Sequence, residues 1–307
     1  MDYRSFGKRF EDISGITITP FKEESKEIDW NGVKENVEFL INRGINVLVP
    51  CGNTSEFYAL TLEEAKEEIR YVVECANKRA TVLAGVGYSV ATAIEMGNYA
   101  KDVGADCIMI HMPIHPFMTD DGVVDYFKSI IENVDLPAVI YFKNPAISDR
   151  VLEELSSLDR LVAVKYAIND LPRFARTVQS IPANRDITWV CGVAEKWAPF
   201  FFHAGATGFT SGLVNLYPEK SLELLEALKT KDEAKIWSVW NEVLPFENLR
   251  EKYNSGVNVA IVKEGMRQLG LNAGVTREPV SPLSTEDKAA VRSLIQRWKL
   301  DIRKQPQ

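Results

Sequence analysis

One pattern repeats along most of this chain. A short, apolar, β-branched run is followed by a helical stretch, and the pair recurs roughly every 25 to 30 residues. The runs are GITITPF (15–21), NVLVPCG (46–52), TVLAGVG (81–87), CIMIHMP (107–113), PAVIYFK (137–143), LVAVKYA (161–167), ITWVCGV (187–193) and GFTSG (208–212). They are mostly continuous rather than alternating, as expected of a parallel sheet covered on both faces. The helical stretches carry start and stop signals. TLEEAKEEIRYVVECANK opens at Thr61 with Glu64 three residues on, a capping box. SVATAIEMGNYAKDVG (89–104) ends on glycine.

Eight such units in about 225 residues predict an α/β chain folded as a (β/α)8 TIM barrel. A doubly wound open sheet is the second possibility, but it requires a glycine-rich phosphate turn, and the nearest candidate, GVGYSV (85–90), lacks the third glycine. After residue 215 the pattern changes. Residues 219–250, about 255–269 and 285–299 read as helical, and Ser284 with Asp287 marks a helix start. Residues 1–218 are therefore expected to form the barrel core. Residues 219–307 supply the last barrel helix and a C-terminal helical extension, with no linker that would make a second domain.

Composition narrows the function. The net charge is −7 and there is no basic stripe, which argues against nucleic acid and anionic membranes as partners. No apolar run reaches the roughly 18 residues of a membrane span. The opening MDYRSFGKRFEDIS is charged and lacks a signal core. Cys51, Cys75, Cys107 and Cys191 lie far apart with no CxxC pair, so neither a zinc site nor a disulfide framework is expected. A reducing cytoplasm is the expected location.

The charge that stands out is Lys165, set inside the apolar run LVAVKYA. Burying an ammonium costs several kcal/mol unless it is paired or gives up its proton. A neutral amine in a pocket is a nucleophile. Active sites of such barrels lie at the C-terminal ends of the strands. There the second run ends in CGNTSEF, the fifth in YFKNP, and the sixth holds Lys165. Because side chains alternate along a strand, Tyr141 and Lys165 can both point inward from neighbouring strands, with Thr54 at the next mouth position. An amine, a phenol and a hydroxyl suit Schiff-base chemistry on a ketone. Each also has a plainer reading: a lysine that snorkels to water, a core tyrosine, and a helix-capping threonine.

Together these pieces resemble the dihydrodipicolinate synthase / N-acetylneuraminate lyase family of class I pyruvate-type lyases, from about Ser14 to Pro218. The matching segments are GITITPF, the loop Gly52-Asn53-Thr54-Ser55-Glu56, GVG at 85–87, IYF at 140–142, VAVK at 162–165 and GATGFTSGLVNLYP at 205–218. The resemblance implies that Lys165 forms a Schiff base with a 2-keto acid and that Tyr141 transfers protons. It implies that Thr54, with backbone N–H groups of 52–55, holds the substrate carboxylate, and that the Thr210 region contacts the keto acid. It also implies no metal, no organic cofactor, and a homo-oligomer, a dimer or a tetramer built as a dimer of dimers.

The chain departs from the synthase pattern at four places. Asn53 stands where a second threonine belongs to a proton relay, and an amide does not readily pass a proton. The tyrosine that a neighbouring subunit donates after the fourth strand is replaced by MPIHPF, with His115 nearest to that role as an inter-subunit relay. Where an arginine grips the second substrate there is Lys143, a point charge without the bidentate fork, and no arginine before Arg150. Ser55 replaces a usual glycine. CGNTSEFYALT followed by YFKNPAI is similar to the family's sugar-acid dehydratases, such as 5-dehydro-4-deoxyglucarate dehydratase, which also carry a basic residue two after the tyrosine. Two other classes compete with a Schiff-base lyase. One is a non-catalytic keto-acid-binding barrel. The other is a metal-dependent barrel hydrolase, for which the chain offers only His111, His115 and His203.

Overall fold

The structure, a computed structural model, describes residues 3–300. Eight strands close into a barrel in sequence order: β1 Ile13–Ile16, β2 Val47–Val49, β3 Thr81–Val86, β4 Cys107–Ile110, β5 Ala138–Phe142, β6 Leu161–Tyr166, β7 Thr188–Cys191 and β8 Gly208–Ser211. All pairs are parallel, and β8 hydrogen-bonds back to β1 with Ser14 opposite Thr210. That closure rules out the doubly wound sheet. Every strand residue is buried, as the continuous apolar runs required.

The helices are α1 Tyr3–Gly7, α2 Trp30–Asn42, α3 Leu62–Ala76, α4 Val90–Asp102, α5 Asp120–Asn133, α6 Arg150–Leu155, α7 Leu171–Ser180, α8 Ala194–His203, α9 Pro218–Thr230, α10 Glu233–Arg250, α11 Asn258–Gln268 and α12 Thr285–Trp298. The Thr61–Glu64 capping box is formed on both sides, and Ser284 caps α12 by accepting the Asp287 N–H. Two expectations need correction. The run 15–21 is strand only to Ile16, because β1 begins earlier, at Ile13. The stretch 219–250 is two helices rather than one. Lys231 adopts left-handed φ of 57°, which ends α9, and Asp232 then caps α10 through the Lys235 N–H.

Two apolar layers result. An outer layer lies between the strands and the helices. An inner layer fills the barrel with Ile16, Val47, Val49, Leu83, Met109, Val139 and Val190, among others, and Phe6 and Phe10 belong to it. Those two aromatics come from α1 and the 3-10 turn Lys8–Phe10, so the segment before β1 packs into the barrel interior. The floor beneath the mouth is therefore mostly apolar, with Thr81 and Thr188 bonded to Arg9 and to the Gly7 carbonyl.

Gly85 on β3 shows how closely β2 and β3 approach. A Cβ at this position would sit 2.1 Å from the Cys51 carbonyl oxygen. Gly85→Ala is expected to destabilise the fold by at least about 2 kcal/mol, since backbone has to move to admit one methyl. Chemical denaturation of the two proteins measures this directly.

Candidate active site

The β5–β6 register sets Tyr141 directly opposite Lys165. Both side chains belong to the inward-facing set, and Lys165 Nζ lies 3.9 Å from the centroid of the Tyr141 ring. Lys165 is 4% exposed. Among the described residues its amine has no hydrogen-bond or ion-pair partner. Gly192, just past the end of β7, makes room for its stem, as a Cβ there would meet Lys165 Cγ at 3.0 Å. Burial, then the nearby Lys143 charge, bring the Lys165 amine down to about 7. This is not a lysine that snorkels to water. Tyr141, also buried, has its phenol pushed up by burial and by Tyr58, so it stays protonated at neutral pH.

Asn53 Nδ2 donates to the Tyr141 hydroxyl at 3.1 Å. With that lone pair occupied, the phenol's own proton is free for a ligand. Thr54 is buried and lines the same cavity of about 500 Å³ as Lys165, Tyr141 and Thr210. The backbone N–H groups of Thr54 and Ser55 have no acceptor among the described residues, so a carboxylate can take both. The Ser55 hydroxyl faces away from a ligand role: it donates to the Thr17 carbonyl at 2.6 Å and accepts the Gly52 N–H at 3.1 Å. Thr210 Oγ1 donates to the Cys191 carbonyl at 3.4 Å, and its residue lines the cavity.

Lys143 lies near Tyr141 but is not among the residues that line this cavity. Its Nζ is 5.4 Å from the Tyr141 centroid and 5.3 Å from that of Tyr58. Burial lowers its amine, and no carboxylate pairs with it among the described residues. Two lysines without carboxylate partners among the described residues thus stand close to one phenol, a setting that favours an anionic ligand. His115 is not brought to this cavity. It sits in the exposed loop after β4, with Nδ1 held by the backbone of Phe117.

Several site residues escaped the sequence reading. Tyr58 stands on the rim beside Lys143. His111, weighed there only as a metal ligand, is fully buried and stacked on Phe57 at 4.4 Å. Its Nε2 donates to the Cys51 carbonyl at 2.8 Å. Burial holds the ring neutral, down to about 3, and the two lysines act in the same direction. Glu247, Arg250 and Asn258, from α10 and α11, close the far wall of the cavity. Behind that wall Glu195 accepts from Ser221 Oγ at 2.6 Å and also from Ser211, and burial followed by the Glu247 charge raises it to about 7. No local pattern marks these residues, because the fold alone brings them to the mouth. Among the described residues no three His, Cys, Asp or Glu side chains are grouped to hold a metal ion.

A closed parallel barrel with a buried, unpaired amine, a phenol and a free-N–H loop at its C-terminal mouth defines a (β/α)8-barrel enzyme. The model of the dihydrodipicolinate synthetase family matches residues 9–298, and the chain belongs to that family and is a lyase. A 4-hydroxy-tetrahydrodipicolinate synthase from Methanothrix thermoacetophila is 30% identical over 291 residues, 93% of this chain and 96% of that protein. A probable 5-dehydro-4-deoxyglucarate dehydratase from Bacillus licheniformis is 29% identical over 282 residues, 90% of each. The crystal structure of a dihydrodipicolinate synthase from Oceanobacillus iheyensis matches with a TM-score of 0.96 at 57% identity, covering 97% of this chain and 99% of that one.

The electrostatics make a direct prediction. The Lys165 amine is expected to titrate near pH 7, protonated below and free above. Lys143→Met, which removes a like charge, raises that midpoint. Reductive ¹³C-methylation and the pH dependence of the methyl resonance give both values, and an unmoved midpoint in the variant would contradict the assigned cause.

Proposed function

We propose that this lyase forms a Schiff base between Lys165 and pyruvate or a related 2-keto acid, as a cytoplasmic enzyme that needs no organic cofactor. The observation that carries this reading is the Lys165 amine itself: buried, without a counter-ion, and beside a protonated phenol.

The steps follow from the geometry. The keto acid's carboxylate takes the Thr54 hydroxyl and the free N–H groups of 54 and 55. The neutral amine attacks the ketone carbon, and the carbonyl oxygen gains a proton. The carbinolamine then loses water, with Tyr141 passing protons to the departing oxygen, and leaves a protonated imine on Lys165. That cation draws electrons from the neighbouring carbon, so a bond there can be made or broken. Lys143 holds a second anionic group of a longer substrate.

A second reading within the same chemistry is sugar-acid dehydration on a 5-keto-4-deoxy acid. It is favoured by Asn53 in contact with Tyr141, where a hydroxyl would be needed to relay protons onward. In either reading the protein works as a homo-oligomer, with His115 reaching a neighbouring subunit's site. The loop that carries His115 leaves Ile114 and Phe117 exposed, an apolar pair that a second copy would cover.

Pyruvate followed by borohydride is expected to add one reduced pyruvyl group to Lys165, located by peptide mapping. If pyruvate leaves the mass unchanged, the same trapping with 5-keto-4-deoxyglucarate tests the dehydratase reading. An unmodified Lys165 in both would overturn the Schiff-base proposal. Tyr141→Phe should still bind the keto acid but trap and turn over about 10²- to 10⁴-fold more slowly. Lys165→Met should lose the adduct and gain at least about 1 kcal/mol in stability at pH 7, because the native site no longer holds an amine away from its proton.

A further inference from the structure

Behind the 52–56 loop, one lysine from the far end of the chain meets three acceptors. Lys263 on α11 is 1% exposed. Its Nζ donates to Glu56 Oε1 at 2.5 Å, to the Thr19 carbonyl at 2.8 Å and to the Val275 carbonyl at 2.7 Å. An ammonium has three protons, and all three are used. Glu56 lies two residues after Thr54, with left-handed φ of 58°, and its other carboxylate oxygen accepts the Arg277 N–H at 2.9 Å. The loop is tied down again at Ser55, whose carbonyl accepts from Thr19 Oγ1 at 2.7 Å. Thr19 has one proton and spends it there. Both carboxyl oxygens of Glu68 lie 2.9 Å from the same hydroxyl, and burial raises the Glu68 carboxyl to about 8.

The side chains of Thr19, Glu56, Glu68 and Lys263 are not among those that line the cavity, and a buried ion pair is a poor source of net stability. Apolar residues of similar volume would hold the fold as well. What an apolar pair would not do is fix the direction of Glu56, and through it the turn that presents Thr54.

We propose that Lys263 is a positioning residue for the carboxylate end of the substrate. By anchoring Glu56 it holds Thr54 and the N–H groups of 54 and 55 in the orientation that receives the carboxylate. The C-terminal helices, and not the barrel alone, thereby set affinity for the keto acid. This inference rests on the carboxylate role proposed above for the loop.

The test uses two ketones that differ in the carboxylate, pyruvate and hydroxyacetone, trapped on Lys165 with borohydride. Removing Lys263 alone strands a buried carboxylate, so the main variant is Glu56→Gln/Lys263→Met, with Lys263→Arg beside it. In the double variant the half-saturating pyruvate concentration should rise about 10-fold or more. Trapping by hydroxyacetone should stay within about two-fold of native, because Lys165 itself is untouched. Lys263→Arg keeps the charge and should fall between. If the double variant does not fold, a pyruvate-selective loss in Lys263→Arg supports the proposal, and its absence overturns it. An unchanged pyruvate half-saturation, or an equal loss for both ketones, would likewise overturn the proposal. Absence of any adduct in the native protein is a different outcome, and it removes the Schiff-base reading first.

Discussion

An amine without a counter-ion, held inside an apolar barrel, is the constraint around which the rest of this structure is arranged. Lys165 could relieve its burial by finding a carboxylate or by reaching water. The fold prevents both. The register of β5 and β6 puts a phenol ring where a carboxylate would go. The inner layer beneath is mostly apolar and offers no carboxylate, and Phe6 and Phe10 are packed into it. The like charge of Lys143 adds to the cost. Each of these choices lowers stability, and each moves the amine toward the neutral form that can attack a carbonyl. The large outer layer of apolar contacts offsets that cost.

Polar groups are abundant at this mouth, but most of them serve the loops rather than a ligand. Two buried clusters stand behind the cavity. One joins Thr19, Glu56, Glu68 and Lys263 under the β2 loop. The other joins Glu195, Ser211 and Ser221, with Glu247 and Arg250 beside them, behind the end of β8. Arg250 Nη1 donates to both oxygens of Glu247 at 2.7 and 2.9 Å. Helices from the C-terminal extension contribute a cation to each. The extension therefore joins the barrel's own helices, which supply Glu68 and Glu195, in backing two of the strand-end loops.

What could be read from the sequence follows the range of the interactions involved. Continuous apolar runs give closed strands because both faces of each strand are covered, and that information is local to each run. The pairing of Tyr141 with Lys165 was legible too, because alternation fixes which residues point inward. The split at Lys231 was not, since a lysine in left-handed geometry carries no mark in the sequence, and Asp232 reads as another surface acid until its cap is seen. Tyr58 was passed over because the loop that holds it turns through a short 3-10 helix rather than following α3. Lys263 was out of reach for a stronger reason: its partners lie in other elements. Lys263 meets Glu56 across 207 positions.

Asn53 decides how the proposed chemistry can run. A hydroxyl between the phenol and solvent would accept a proton from one side and give one to the other. An amide nitrogen only donates. With Nδ2 on the Tyr141 oxygen, the phenol keeps its proton directed at the bound ligand and has no side-chain route along Asn53 to recover a proton once it is given. Condensation and elimination both return the proton taken from carbon to an oxygen of the bound substrate, the new alkoxide in one and the leaving hydroxide in the other, so a phenol that passes a proton across the imine and takes it back would serve either.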